Sequence, residues 1–338
     1  VGYAKLWIMN GTRTFENSIG SLNELPKKQI NFIKDEIIEI NYNDNFVTTK
    51  SEDISFDFLI ISMGAVLAPE KIPGLVENGF NLYDHNQLDE IHHKLDKIES
   101  GKIAIVIMAM PYKCPPAPFE ASLLVDSMLR KRGIRDSIQI DFYSPAPITL
   151  PAAGPEVSKK ILDLVNSEKI TFHNSKKIIR VEPKKLIFEN DEYSFDILLA
   201  IPPHTAPKVI YDSNLAKEPG FIPINRDCKT PHENIFAVGD VTSLVVTDSM
   251  AVPKAGVFAE GEGIAVAKNI VSKLLSKEPS VLFDGKGGCF LESGRDTAST
   301  IEVDMFADPK PSTRLTESTK DNLSKKLDFE KERLSKWL

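Results

Sequence analysis

The apolar run at residues 103–110 constrains the fold of this chain more than any other segment. Its length and its flanking residues predict a strand that is buried on both faces of a parallel sheet. The run leads into Tyr112-Lys113-Cys114-Pro115-Pro116, in which two prolines stiffen the backbone beside one thiol. Because ligands bind at the carboxyl ends of strands in open α/β sheets, we expect Cys114 to lie at a ligand site.

Strand patterns and helix patterns alternate along the chain, which predicts an α/β fold. Strands are predicted at residues 30–40, 46–49, 58–65, 103–110, 138–143, 196–203 and 235–240. Apolar residues at helical spacing predict helices at residues 86–99, 121–132, 155–166 and 253–273, and the charged tail predicts a helix at 321–338. Short runs at residues 170–172, 178–181 and 186–188 predict an antiparallel layer, and residues 288–292 and 300–306 predict another.

One strand pattern occurs twice. Residues 57–64 and 196–203 each begin with an aspartate, continue as an apolar run and end at a residue that breaks the strand. This repetition predicts two related α/β halves instead of one large sheet.

The composition excludes several classes of protein. The chain of 338 residues has 41 basic and 48 acidic residues, and its net charge of −7 argues against a nucleic-acid partner. Three cysteines do not make a disulfide scaffold, and the histidines have no metal-site spacing. No apolar run approaches the roughly 20 residues that cross a bilayer, so the cytoplasm is the expected location.

Residues 236–240, which end in Gly239-Asp240, resemble the second flavin-binding motif of the two-dinucleotide-domain flavoproteins. The resemblance implies FAD as the cofactor, with Asp240 accepting a hydrogen bond from the ribityl chain. It also implies that the helix after Lys254 points its N-terminus at the flavin, where it favours negative charge. A segment at residues 60–65 is similar to the family's strand-to-glycine crossover. The expected cofactor-binding residues are Gly64, Gly239, Asp240, Lys254, Ala255 and Gly256.

The string Cys114-Pro115-Pro116-Ala117-Pro118-Phe119-Glu120 resembles the sulfide-oxidising branch of that family. This branch comprises the flavocytochrome c sulfide dehydrogenase flavoproteins and the sulfide:quinone oxidoreductases. The resemblance implies that Cys114 pairs across the flavin with Cys289 and that hydrosulfide opens the bridge between them. Glu120 is then a proton carrier and Lys254 a further catalytic residue. Lys113 and Lys286, each near a cysteine in sequence, are expected to favour the thiolate.

The same resemblance implies a domain plan of two Rossmann-like dinucleotide-binding domains and a small C-terminal α+β region. The first FAD-binding part would be residues 1–78, the second dinucleotide-binding-like domain 79–210, the second FAD-binding part 211–276, and the C-terminal region with its tail helix 277–338. The family's Gly-x-Gly-x-x-Gly loop and its βαβ unit do not occur in this sequence, and in the family they would precede the position of Val1. The sequence also does not begin with methionine. We therefore expect the sequence to begin inside a longer protein.

The sequence alone leaves open the electron acceptor and the role of the second dinucleotide-binding-like domain. Sulfide or a small thiol is the implied substrate, and a quinone or a cytochrome c-type protein is the implied acceptor. Peripheral membrane contact and an exported location are not excluded. The alternatives are a relative of the NADH dehydrogenases, which the absence of a glycine-rich loop after residue 110 disfavours, and a cofactor-free sulfur carrier. Cys228 is expected to be a buried small hydrophobic residue or a surface residue.

Overall fold

The computed structural model describes residues 4–22, 25, 29–248 and 250–337. Residues 1–3 and Leu338, which belong to the predicted N-terminal segment and the predicted tail helix, lie outside the described residues. The side chain of Trp337 lies outside them as well. The helices are α1 (Lys5–Met9), α2 (Leu75–Asn78), α3 (Leu88–Lys97), α4 (Ala117–Lys131), α5 (Gly154–Ser167), α6 (Lys208–Asp212), α7 (Gly256–Leu274) and α8 (Lys320–Trp337). None of the helices in the described part of the chain combines the length and the apolarity that crossing a membrane requires.

The strands are mostly short, which is typical of an α/β protein with several small sheets. They are β1 (Ile37–Asn41), β2 (Phe46–Thr49), β3 (Asp53–Ser55), β4 (Leu59–Ile61), β5 (Val66–Leu67), β6 (Phe80–Asn81), β7 (Gly101–Ile107), β8 (Ile138–Tyr143), β9 (Ile170–His173), β10 (Ile178–Glu182), β11 (Lys185–Phe188), β12 (Glu192–Ser194), β13 (Ile197–Ile201), β14 (His204–Thr205), β15 (Ile222–Ile224), β16 (Ile235–Ala237), β17 (Thr242–Thr247), β18 (Met250–Ala251), β19 (Lys286–Glu292), β20 (Ala298–Asp304) and β21 (Ser312–Leu315).

A five-stranded parallel sheet in the order β6-β13-β7-β8-β9 contains the predicted apolar run as its central strand, β7. Successive side chains of β7 alternate between two cores. Ile103, Ile105 and Ile107 pack against the helices, whereas Ala104 and Val106 pack toward β10 and β11. Both faces of β7 are therefore covered, which explains its continuous apolar sequence.

Chain order reverses in this sheet between β7 and β13. From β7 the chain proceeds through α4 to β8 and through α5 to β9, and β13 then pairs with the opposite edge of β7. The crevice beyond the carboxyl ends of two such strands is the usual ligand site of an open α/β sheet. Cys114 follows β7 and His204 follows β13. The two residues therefore flank the topological switch point, which is the place between β7 and β13 where the chain order reverses.

The predicted repeat of the strand pattern is confirmed. The antiparallel meander β1-β2-β3 precedes β4, and the meander β10-β11-β12 precedes β13. In the first unit β4 pairs in parallel with β16, and these strands share a second core with β15, α6 and α7. A third meander, β19-β20-β21, carries Cys289 and is followed by α8.

Three local predictions were wrong. Residues 30–36 do not join the strand β1, because the ladder with β2 begins only at Ile37. The segment at residues 170–172 is not antiparallel; it forms β9 of the parallel sheet because it returns from α5 by a crossover. Helix α4 begins at Ala117 instead of residue 121, since prolines are well accommodated in a first helical turn.

Leu199 tests how much the central sheet stabilises the fold. Its side chain is fully buried in β13, so Leu199→Ala should lower the free energy of unfolding by about 2–5 kcal/mol through lost burial and an added cavity. The matched substitution Leu274→Ala, at a side chain that is 69% exposed on α7, should change it by less than about 0.5 kcal/mol. Urea denaturation of both variants measures the difference; equal effects would contradict this account of the core.

Candidate active site

The loop that follows β7 is held by backbone hydrogen bonds around Cys114. Cys114 has a left-handed backbone with φ of +52°, and its N–H donates to the carbonyl oxygen of Lys254 over 2.6 Å. Its own carbonyl accepts from the N–H of Ala117 at 2.9 Å and from the hydroxyl of Tyr83 at 3.3 Å. The parallel sheet and the segment before α7 therefore meet at this residue.

Both predicted cysteines are free thiols, and Cys289 is one of the groups that raise the pKa of Cys114. Cys289 is half-buried on β19 and packs against both main cores, and desolvation raises the pKa of its thiol to about 12. Cys114 is exposed in part, but the protein atoms packed round its sulfur raise the thiol pKa through desolvation and then through Cys289. Desolvation dominates both pKa values, so the expectation that Lys113 and Lys286 favour the thiolate stays a prediction.

Lys254 is turned inward, with a side chain that is 7% exposed. Its ammonium donates to the carbonyl oxygens of Asp240 (2.7 Å) and Thr242 (3.0 Å) and lies 3.2 Å from the centre of the Phe221 ring. Burial lowers the pKa of Lys254 to about 8, and the nearby Asp240 carboxylate opposes this change. The ammonium thus fixes the loop that contains Asp240.

Asp240 presents an acceptor with no donor. Its Oδ1 atom is buried, and no described group donates to it. Burial raises the pKa of this carboxyl, and Lys254 and then Lys113 act in the opposite direction. Since a buried acceptor without a partner is costly, this atom is suited to an O–H or N–H donor of a ligand.

The other expected cofactor residues lie around the same opening. Gly64 has φ of +69°, and no atom lies within 4 Å of where a Cβ would stand, so the turn faces open space. Ala255 precedes α7 as its N-cap, and the described first turn beginning at Gly256 contains no acidic side chain. Gly239 donates its N–H to Glu262 Oε2 at 2.6 Å.

Glu120 points inward, but toward partners that the sequence did not indicate. Its carboxylate accepts from the Lys326 ammonium at 2.7 Å and from the N–H of Glu292 at 3.0 Å. Lys326 also donates to Glu292, which in turn accepts from the Trp7 indole N–H at 2.8 Å. Burial raises the pKa of Glu120, while Lys326 lowers it. This cluster connects α4, β19, α8 and α1, and Glu120 lies close enough to raise the pKa of both thiols.

A cavity of about 880 Å³ opens beside Cys289. It lies between α7, the β19-β20 hairpin and α8, and Phe290 and Phe329 contribute aromatic walls. Cys114 is not among its lining residues, so the cavity reaches Cys289 alone of the two thiols. No sequence pattern predicted this cavity, because its walls come from segments that are distant along the chain.

Several known proteins are similar in sequence to this chain. The family model for pyridine nucleotide-disulphide oxidoreductases matches residues 139–263. A mitochondrial sulfide:quinone oxidoreductase of Dictyostelium discoideum is 27% identical over 269 residues, covering 74% of this chain and 59% of that protein. A sulfide-quinone reductase of Aquifex aeolicus is 28% identical over 320 residues, covering 88% of this chain and 73% of that protein.

The solved structure of the Aquifex aeolicus sulfide:quinone oxidoreductase is similar along almost the whole chain. The two superpose with a TM-score of 0.90 at 26% sequence identity, covering 99% of this chain and 82% of that one. The α/β architecture with two dinucleotide-binding-type units is thus confirmed. The present chain spans less than two thirds of the length of the Dictyostelium relative.

Glu262 offers a test of the electrostatics beside Gly239. Burial raises the pKa of this carboxyl to about 7, so the folded state binds its proton more tightly than the unfolded state does. The free energy of unfolding should therefore fall as the pH rises from about 4.5 through 7. In Glu262→Gln this contribution is removed, and the variant should gain stability relative to the parent chain over that interval. Urea denaturation at several pH values, with the exposed Glu278→Gln as control, measures this; parallel curves for Glu262→Gln and the parent would contradict it.

Proposed function

We propose that the chain belongs to the sulfide-oxidising branch of the pyridine nucleotide-disulphide oxidoreductase family and is a FAD-dependent enzyme that oxidises sulfide and passes the electrons to a quinone. The observation that carries the proposal is the bond from the Cys114 N–H to the Lys254 carbonyl. This bond holds Cys114, which lies in the string that resembles the sulfide-oxidising branch, beside the segment before α7 that is expected to bind the flavin. The similarity to sulfide:quinone oxidoreductases over most of the chain supports the same substrate.

FAD is the cofactor of this family, and the residues present fit the flavin end of that molecule. The unpartnered Asp240 Oδ1 suits a ribityl hydroxyl, and the turn at Gly64 leaves room for a close approach. The first turn of α7, after Ala255, would direct its free N–H groups toward the pyrimidine edge. Lys254 would hold Asp240 in place through the backbone carbonyl that it binds. When bound, FAD supplies the two-electron acceptor for the thiols and the donor to the quinone.

The two cysteines are proposed to carry the sulfur chemistry. Hydrosulfide attacks a Cys114–Cys289 disulfide, so that one sulfur–sulfur bond breaks and another forms; one cysteine becomes a persulfide and the other a thiolate. The raised pKa values of the free thiols favour their protonated forms, so a proton must leave before the bridge can re-form. Glu120, whose carboxylate acts on both thiols, is the proposed carrier of that proton.

A quinone is the proposed acceptor because the relatives similar to this chain reduce quinones, as their names state. Since quinones dissolve in the lipid phase, the proposal includes peripheral contact between the protein and a membrane. The alternative of an NADH-oxidising flavoprotein is not favoured. After β7 the chain places prolines and the left-handed Cys114, where a nicotinamide pyrophosphate would require the close backbone approach of a glycine-rich loop.

Cys114→Ser tests the sulfur chemistry. A serine cannot form the bridge that hydrosulfide opens, so anaerobic bleaching of the bound flavin by sulfide should slow by at least about 100-fold. Cys228, which is fully buried in the core around β16, provides the control Cys228→Ala, which should retain the parent rate. Stopped-flow absorbance measures both variants. Bleaching by NADH, with the serine variant unimpaired, would refute the proposal.

Asp240→Ala tests the cofactor assignment. Removing the orphan acceptor should weaken FAD binding about tenfold, which is the effect of one hydrogen bond to a charged group. The exposed Asp212→Ala on α6 should leave the affinity unchanged. Quenching of FAD fluorescence on titration with the flavin-depleted protein gives the affinities; an unaltered value for Asp240→Ala would remove Asp240 from the flavin site.

A further inference from the structure

Three side chains reach the switch point of the parallel sheet from adjacent strands. Tyr83 follows β6, His204 follows β13 and Cys114 follows β7, and these strands are neighbours in the sheet. The Tyr83 hydroxyl donates to the Cys114 carbonyl, and the rings of Tyr83 and His204 meet edge to face with centroids 5.8 Å apart. The tyrosine therefore bridges the cysteine loop and the histidine.

His204 has one nitrogen engaged and one unused. The side chain is 6% exposed, and Nδ1 lies 2.8 Å from the carbonyl oxygen of Pro202. Because a carbonyl only accepts, Nδ1 carries the hydrogen and Nε2 presents a lone pair. That Nε2 atom is buried, and no group in the described part of the chain donates to it. The site thus contains a neutral acceptor that is held in position and awaits a donor.

Three lysines act electrostatically on His204. Burial lowers the pKa of its imidazole to about 4, and the charges of Lys113, Lys254 and Lys5 act in the same direction. Lys113 directs its ammonium at the carbonyl of Ala65 and Lys5 directs its own at the carbonyl of Tyr83, and neither forms an ion pair with any residue that the structure describes. Burial also lowers the pKa of Lys5 to about 8. The charges of these lysines favour an anion beside the histidine and keep its imidazole neutral.

On the basis of the proposed function, we infer that His204 Nε2 accepts a hydrogen bond from the S–H group of hydrosulfide beside Cys114 and, together with the charge of Lys113, positions this substrate for attack. Hydrosulfide combines the two properties that the site selects, a negative charge and one donor hydrogen. It is also small enough for a buried position between two strand ends. In this role His204 is a positioning residue that neither accepts the proton nor bonds to sulfur.

Two substitutions at His204 separate the role of the Nε2 lone pair from that of the size and shape of the side chain. His204→Leu removes the acceptor, and His204→Gln restores an acceptor in the amide oxygen. His92→Leu is the matched control, because His92 also bonds a backbone carbonyl through Nδ1, that of Met9 at 3.0 Å, but lies on α3. Each flavin-loaded protein is mixed anaerobically with a series of sulfide concentrations, and flavin reduction is followed by stopped-flow absorbance.

The concentration dependence yields an apparent dissociation constant for sulfide and a limiting rate. For His204→Leu we expect the dissociation constant to rise about tenfold, the equivalent of one hydrogen bond to an ion, with a limiting rate within about twofold of the parent. His204→Gln should recover most of the affinity, and His92→Leu should match the parent. The ratio of flavin to protein absorbance, recorded before mixing, should be equal in all four proteins.

The outcomes distinguish this inference from the proposed function. If sulfide reduces the flavin of the parent protein but the dissociation constant of His204→Leu is unchanged, the role of His204 is refuted and the sulfide oxidation stands. A fall in the limiting rate alone, or a loss of flavin in His204→Leu, would equally refute it, because the histidine would then serve the chemistry or the cofactor. If sulfide does not reduce the flavin of the parent protein, both proposals fail.

Discussion

The arrangement of the candidate site depends on one backbone hydrogen bond, from the Cys114 N–H to the Lys254 carbonyl oxygen. Cys114 belongs to the parallel sheet, and Lys254 belongs to the segment that precedes α7 in the other α/β unit. The bond places the thiol beside Asp240, because the Lys254 ammonium binds the Asp240 carbonyl. Tyr83 completes the arrangement by donating to the Cys114 carbonyl. The first of these contacts joins two backbone groups, whereas the other two depend on the side chains of Lys254 and Tyr83.

Desolvation is the main electrostatic influence on this site. It raises the pKa of both thiols and of Asp240, and it lowers the pKa of Lys254 and His204. All these groups are thereby shifted toward their neutral forms, and the remaining lysine charges are only partly balanced by Asp240. This imbalance supports the proposed binding of hydrosulfide near Cys114 and of a reduced flavin near α7.

Glu120 has a structural contact in the folded chain that its place in the sequence motif did not predict. Its place in the cysteine string predicts a proton carrier, and the fold does turn it inward. However, the carboxylate also joins Lys326, which lies 206 residues further along the chain, in a cluster with Glu292 and Trp7. This cluster fixes the helix after Cys114 to the strand that carries Cys289. Breaking one member of such a buried group leaves the others uncompensated, so structure and chemistry are coupled at this residue.

The sequence by itself determined the local features: the central strand β7, the repeated strand pattern, a long helix in the region of α7 and the loop that presents Cys114. These follow from apolar periodicity, prolines and glycines, which act over a few residues. It also indicated Asp240 and Lys254 through a short motif. Only the tertiary structure decided that β9 is parallel, that Glu120 meets Lys326, and that His204 faces the same switch point as Cys114. Those features depend on which distant segments pack together, and burial, which sets the charges there, exists only after packing.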